Sequence, residues 1–576
     1  MRTIVLLKIE RNKILILFIV PFLLYIALLP FLPLLEPDEA RYSNVSRLMN
    51  LSGDYVTPHL LNVLFFDKPP LTYWATAAAF KVFGENEFSA RLFAGLSTWA
   101  CILLVYYMGV FSRDKKTGLH SAAAYSTFLY VFLLGRMNIM DSPLTLFLSL
   151  AIWAGYRYYL GYAYSKKWLY VFYLACALAF LTKGLMGFVF PPIIMVLWLL
   201  ICGRWREVFK LVSPMGILIF LCISVPWVFL IQRANPDFLW FFFVREQFMR
   251  YTTSIHGREH SWLFYIPVVL IGTLPWTAPI ITAFREKTEK IGLIIARDYR
   301  YLLFVWTIFI LVFFSFSSAK MVTYIASVFL PIAVVFGNYF RLYDEFALSE
   351  SDKKKISTIH VFIIVQAFIF IAVLLMPLYA EKLFKLNGDL RVMYNPHWMS
   401  LIILPICIQV LIIFMPDLVR NLKGEGWFLT MYCLIGLFMI SLIPPVSAFL
   451  IPYKTSLPIR YAIKLYVPAG HPVYQYGIHL FSLDFGRKEE IRTPIVEQFA
   501  ELNYGISQLP ARERDRYFLK KGALIKRNWD EGPLYCITDR GSMEELAERF
   551  PTLTVLWKNG NYFLVLLPRF ASYALH

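Results

Sequence analysis

The sequence predicts an all-α polytopic membrane protein with a small α/β domain at its C-terminal end. Three observations predict it. Apolar runs of about 20 residues recur along most of the chain, long enough to cross a hydrocarbon core of roughly 30 Å. These runs are continuous rather than alternating, which suits helices and not a lipid-facing barrel. After about Ile451 the hydropathy falls, and short strand-like and helix-like segments take over. Composition agrees: 59% of the 576 residues are hydrophobic, 18% aromatic and only 16% charged, well outside the usual soluble range.

Thirteen spans are expected, near 14–35, 89–111, 119–135, 142–163, 168–182, 186–202, 211–231, 262–283, 300–316, 321–340, 357–379, 398–415 and 427–450. Arg2, Lys8, Arg11 and Lys13 precede the first run. That run is longer than a signal core and no small-residue cleavage site follows, so it reads as an uncleaved first span. The weakest division is at Lys183-Gly184, where the fifth and sixth spans touch. Cationic loops mark the cytoplasmic side of membrane proteins. Here the loops at 112–118, 165–168, 203–210, 284–300, 341–355 and 416–426 are all basic. The N-terminus is therefore expected inside, and an odd span count sends the C-terminus outside. The outside loops are 36–89, 233–261 and shorter stretches at 136–141, Lys183, 317–320 and 380–397.

The formal charge is +18. Much of it sits in short loops that set topology and meet lipid headgroups, so membrane lipids and not nucleic acid are the expected partners. Six of the seven cysteines lie in or beside apolar runs and Cys536 is alone in the tail, with no metal-ligand spacing and no disulfide framework. The chain divides at about 451: residues 1–451 form the membrane part and 452–576 a soluble domain. In the latter, HPVYQYGI, GPLYCITD and FLVLLPR read as strands and SMEELAERF as a helix. The tail carries no catalytic motif.

The loop after the first span holds the unusual residues. Asp38 and Glu39 follow Pro37, and on a helix Asp38, Arg41 and Tyr42 would share one face. An acid there could orient or deprotonate an acceptor; equally, acids and proline suit a helix N-terminus. Asp67 and Lys68 precede Pro69-Pro70. A lysine on a proline-stiffened loop at headgroup level suits an anionic phosphate, though snorkelling would also place it there. Asp141, Lys183 and Lys320 sit at span boundaries on the same side. Ionisable groups there usually face an aqueous cavity or a partner. The loop 233–261 adds Arg245, Arg250, His256, Arg258 and His260.

The motifs EPDEARY, SGDYVTPHL, FDKPPLTYW, FGENEFSARL, RMNIMDSPL, FLTKGLMGF, REHSWLFYIPVVLIGTLPW and SSAKMVTYI, in this order, resemble bacterial 4-amino-4-deoxy-L-arabinose transferases of lipid A. These belong to the glycosyltransferase superfamily that includes protein O-mannosyltransferases. The resemblance covers residues 1–345 well and later residues in layout only. It implies a GT-C type fold and a sugar donor linked to undecaprenyl phosphate. Asp38 would be the principal carboxylate with Arg41 beside it, and Lys68 would hold the donor phosphate. Asp141, the third residue expected to be catalytic, would line the cavity with Lys183, Lys320 and Tyr324. Glu39, Tyr42 and Asp67 would contact substrate, and Arg250, His256 or Arg258 would close the site. Two departures stand out. Asp67 replaces the family's frequent Glu, and Lys320-Met-Val-Thr-Tyr324 replaces Lys-Leu-Pro-x-Tyr.

The expected activity is inverting transfer of an aminoarabinose-type sugar from undecaprenyl phosphate to a lipid A phosphate at the outer face of a bacterial inner membrane. A protein hydroxyl or another envelope glycan is the alternative acceptor. A transporter or flippase is a rival of a different class, but its charges would sit near the midplane and inverted repeats would be visible. No Gly-rich phosphate loop is present, as a non-nucleotide donor allows. No cofactor is required by any motif, and the sequence leaves a divalent cation and its ligands open.

Overall fold

In the computed structural model the described residues are 17, 19–61, 63–160, 165–249, 260–277, 295–347, 426–483, 485, 493–497, 502–559 and 561–569. Among them four helices are long and apolar enough to cross a bilayer: Glu87–Ser112, Pro214–Ala234, Arg297–Phe316 and Val322–Leu342. Ile19–Phe31, Leu185–Ile201 and Tyr432–Ala448 are shorter apolar helices. The spans expected at 357–379 and 398–415 lie outside the described residues, so thirteen is not a count this structure provides.

Several span boundaries differ from expectation for local reasons. The run 119–135 is two helices, Lys115–Ser126 and Leu129–Leu134. At the joint Thr127 bonds back to the Ala123 carbonyl at 2.6 Å, and Phe128 is extended. The freed Leu129 N–H donates to the Leu274 carbonyl, and Trp276 Nε1 donates to Thr127 Oγ1 at 2.9 Å. A neighbouring segment thus satisfies the backbone that the break exposes. The division at Lys183-Gly184 is real. Gly184 has φ +83°, which only glycine adopts freely, so the helix Lys166–Lys183 stops and Leu185–Ile201 starts at once in a new direction.

The loop after the first span is itself largely helical. Asp38–Ser52 begins with two acids in its first turn, a favourable place for negative charge, and closes on Gly53 at φ +73°. A two-stranded hairpin follows, β1 (His59–Leu60) with β2 (Val63–Leu64). Pro70 then caps the helix Leu71–Phe83. An Asn86–Ser89 capping box starts Glu87–Ser112.

The tail forms a six-stranded sheet in the order β5 (Phe518–Leu519), β4 (Ile495–Val496), β3 (Val473–Tyr476), β6 (Leu534–Asp539), β8 (Tyr562–Leu567) and β7 (Thr554–Asn559). The expected strands are β3 (Val473–Tyr476), β6 (Leu534–Asp539) and β8 (Tyr562–Leu567), and the expected helix is Arg540–Arg549. Sequence reading missed β4 (Ile495–Val496), β5 (Phe518–Leu519) and β7 (Thr554–Asn559). The first two are only two residues long, and β7 is exposed over much of its length. β5, β4, β3 and β6 are parallel, while β8 pairs antiparallel with β6 and β7.

This sheet packs against the first loop. Phe481, Phe485, Ile495, Leu502, Ile506 and Phe518 share one buried cluster with Val45, Met49, Tyr73 and Phe80. At its edge the Glu36 carboxylate, 8% exposed, accepts from Phe481 N–H at 3.1 Å and from Ser482 N–H and Oγ at 2.8 and 2.6 Å. Burial drives the Glu36 carboxyl up to about 7 despite those three donors.

Candidate active site

A cavity of about 600 Å³ opens where the first loop, the bundle and the tail meet. Asp38, Arg41 and Tyr42 enter it from the first two turns of their helix, on the shared face that the spacing predicts. Arg41 is ion-paired with Asp38. Burial works against the Arg41 charge, but Tyr42, Asp38 and Asp67 together hold its pKa above the ordinary value. The Lys68 ammonium lies 2.6 Å from Asp67 Oδ1, and the Tyr42 hydroxyl donates to Asp67 Oδ2 at 3.3 Å. Lys68 is 7% exposed, so its ammonium is withdrawn from bulk water and not snorkelling to it.

A second ion pair lies on the bundle side. Asp141 is the first residue of Asp141–Leu160 and Lys183 the last of Lys166–Lys183. Each charge therefore complements its own helix dipole, and the two meet at 2.5 Å. The Lys183 ammonium also sits 4.8 Å from the centre of the Tyr324 ring. The remaining wall is mainly apolar, with Phe66, Met140, Val189, Phe190, Phe313 and Phe314 among its members. Around each ion pair that apolar wall lowers the effective dielectric and strengthens its field.

Of the expected residues, Asp38, Arg41, Tyr42, Asp67, Lys68, Asp141, Lys183 and Tyr324 line this cavity together. Lys320 does not. Its ammonium donates to the Ser317 carbonyl at 2.7 Å inside its own turn, while Ala319 and Met321 on either side face the cavity. Arg250, His256 and Arg258 lie outside the described residues.

Glu39, expected to contact substrate, is fully buried and does not line the cavity. Arg91 meets it bidentately at 2.8 and 2.7 Å. Glu39 also accepts from Leu35 N–H at 3.1 Å and Asn138 N–H at 2.8 Å. Arg91 in turn donates to the Leu29, Leu32 and Pro33 carbonyls. Burial alone would raise the Glu39 carboxyl, but Arg91 and the two N–H donors bring it below its ordinary range. The pair fastens the end of the first apolar helix, the helix that carries Asp38, and the turn before Asp141. It ties together the backbone on either side of Asp38 and before Asp141, and neither Glu39 nor Arg91 lines the cavity.

Sequence reading missed Glu246, Phe241, Phe248 and Tyr504, which also line the cavity, as does Arg245. Tyr504 belongs to the tail, and His479 from the tail lies near Arg41. Burial, followed by the Arg41 charge, pushes that imidazole down to about 4. Among the described residues no cluster of three or more His, Cys, Asp or Glu side chains is placed to hold a metal ion.

The family described as dolichyl-phosphate-mannose-protein mannosyltransferase matches residues 67–229. The undecaprenyl phosphate-alpha-4-amino-4-deoxy-L-arabinose arabinosyl transferase 1 of Proteus mirabilis (strain HI4320) is 28% identical over 96% of this chain and 98% of its own length. Transferase 2 of Sodalis glossinidius (strain morsitans) is 32% identical, with 55% of this chain and 58% of that protein aligned. Among solved structures, ArnT from Cupriavidus metallidurans bound to undecaprenyl phosphate has a TM-score of 0.74 at 23% identity, covering 97% of this chain and 98% of that one. The resemblance expected from the motifs is thereby shown: this chain is similar to the aminoarabinose transferases along nearly its whole length and has their GT-C fold.

Proposed function

We propose that the chain is an inverting glycosyltransferase that moves an aminoarabinose-type sugar from undecaprenyl phosphate to a lipid A phosphate. The observation that carries this reading is one cavity joining two acid–cation pairs to a largely apolar wall, in a chain similar to transferases of that name. The apolar wall suits a polyprenyl chain, and the cations suit its phosphate. Residues 1–451 would be the membrane part and 452–576 a periplasmic domain, with the N-terminus cytoplasmic in the bacterial inner membrane.

In this reading the acceptor phosphate oxygen attacks the anomeric carbon. The new C–O bond forms as the bond to undecaprenyl phosphate breaks, and the electron pair leaves on that phosphate. Lys68 and Arg41 hold the charge that develops there. Such preorganised contacts typically contribute 10²–10³ in rate, roughly 2.7–4 kcal/mol each. Asp38 orients the acceptor; a phosphate acceptor is already ionised, so little proton transfer is needed. Asp141 and Lys183 face the sugar. The test is transfer by purified full-length protein, read by the mass of lipid A. Lys68→Ala and Asp38→Asn should each reduce transfer at least about 100-fold while the protein stays folded. Near-normal transfer by both variants would sink this assignment, and a product on protein instead of lipid A would redirect the acceptor.

A further inference from the structure

Among the described residues, Tyr504 is the tail's contribution to the cavity wall. It belongs to the short helix Asn503–Ser507, which lies directly on β2. Gly505 permits that contact, since a Cβ there would fall 2.4 Å from the Leu64 carbonyl oxygen. The Tyr504 ring centre lies 5.6 Å from that of Phe66 and 4.5 Å from that of Phe241. Its hydroxyl reaches the Asp237 carboxylate across a long 3.4 Å hydrogen bond. Phe66 and Phe241 also meet each other, at 6.0 Å.

These contacts join two stretches of chain that bring cations to the cavity. Phe66 is two residues before Lys68. Phe241 lies on the π-helical segment Trp240–Met249, where the Arg245 guanidinium sits 4.9 Å from the Phe241 ring. Tyr504 is the wedge at their joint. We propose that Tyr504 is a positioning residue that fixes the separation of Lys68 and Arg245, so that the tail sets the affinity of the cavity for a polyprenyl phosphate. This inference rests on the donor reading given above.

The experiment uses undecaprenyl phosphate as the probe, with binding to the full-length protein in detergent measured beside steady-state transfer. Tyr504→Ala removes both aromatic contacts, each worth a fraction of a power of ten to one power of ten. Binding should weaken about tenfold, KM for the donor should rise by the same factor, and kcat should stay within about twofold. Tyr504→Phe keeps the rings and should bind within about threefold of the unaltered chain. A loss confined to kcat, or unchanged binding by Tyr504→Ala, overturns the inference while the donor reading stands. Failure of the unaltered chain to bind undecaprenyl phosphate overturns both. Should Tyr504→Ala not fold, Tyr504→Leu carries the same expectation, since leucine supplies volume without the ring.

Discussion

Breaking the Glu39–Arg91 pair separates a positioning role for Glu39 from a chemical one. Glu39→Ala leaves the Arg91 guanidinium, 3% exposed, without its counter-charge. Removing one partner of a buried pair typically costs about 3–5 kcal/mol. Replacing both partners by apolar groups is often nearly neutral elsewhere, and here it should not be. The Leu35 and Asn138 N–H groups and the Leu29, Leu32 and Pro33 carbonyls would all lose their partners. An unsatisfied buried polar group costs about 1–3 kcal/mol, so Glu39→Leu with Arg91→Met should be at least as unstable as Glu39→Ala. The assay is the apparent unfolding temperature and the half-life at fixed temperature of the detergent-solubilised chain, since large membrane proteins seldom unfold reversibly. A Glu39→Ala protein of unaltered thermal stability that had lost transfer would refute the reasoning and return Glu39 to the chemistry.

Three further outcomes are expected. Lys183→Ala should destabilise by up to about 3–5 kcal/mol by leaving Asp141 without its counter-charge, and exchanging the pair (Asp141→Lys with Lys183→Asp) should recover that loss only in part, because each charge would then oppose its helix dipole; full recovery in a thermal shift assay would contradict this. The Glu36 carboxyl, raised from 4.5 to about 7, keeps its proton longer in the folded chain than in the unfolded one. Its stabilisation is therefore complete below pH 4.5 and lost as pH rises to about 7, a change of roughly 3 kcal/mol; limited proteolysis of the tail should show that slope, and Glu36→Gln should flatten it. Gly505→Ala should push the short helix off β2 and destabilise the tail contact by about 1–3 kcal/mol, read as faster cleavage between the tail and the bundle.

Much of the cavity was legible because charge is costly beside apolar runs. Asp38, Lys68, Asp141 and Lys183 stand out for that reason, and helical spacing alone puts Asp38, Arg41 and Tyr42 on one face. What stayed hidden depends on distance along the chain. Arg91 lies 52 residues beyond Glu39, so two adjacent acids, one lining the cavity and one not, look alike in sequence. Tyr504 sits on a five-residue helix with no periodicity to mark it, and only tail docking brings it to Phe66. Helix breaks divided in the same way. Gly184 signalled its break through residue type, whereas the break at Thr127 depends on Leu274 and Trp276.

The seam between Glu36 and Ser482 bears on biosynthesis. The two residues are 446 apart in sequence, and a chain is made from its N-terminus onward. The first loop is therefore made long before the tail that packs against it. Until residues 481–506 arrive, Glu36 faces water, where an ionised carboxylate is well solvated, and Leu64 and Phe66 lack their cover. Contacts of such long range form late. A chain that stopped before Tyr504 would hold Asp38, Lys68, Asp141 and Lys183 and yet lack one wall of the cavity, so the tail completes that wall.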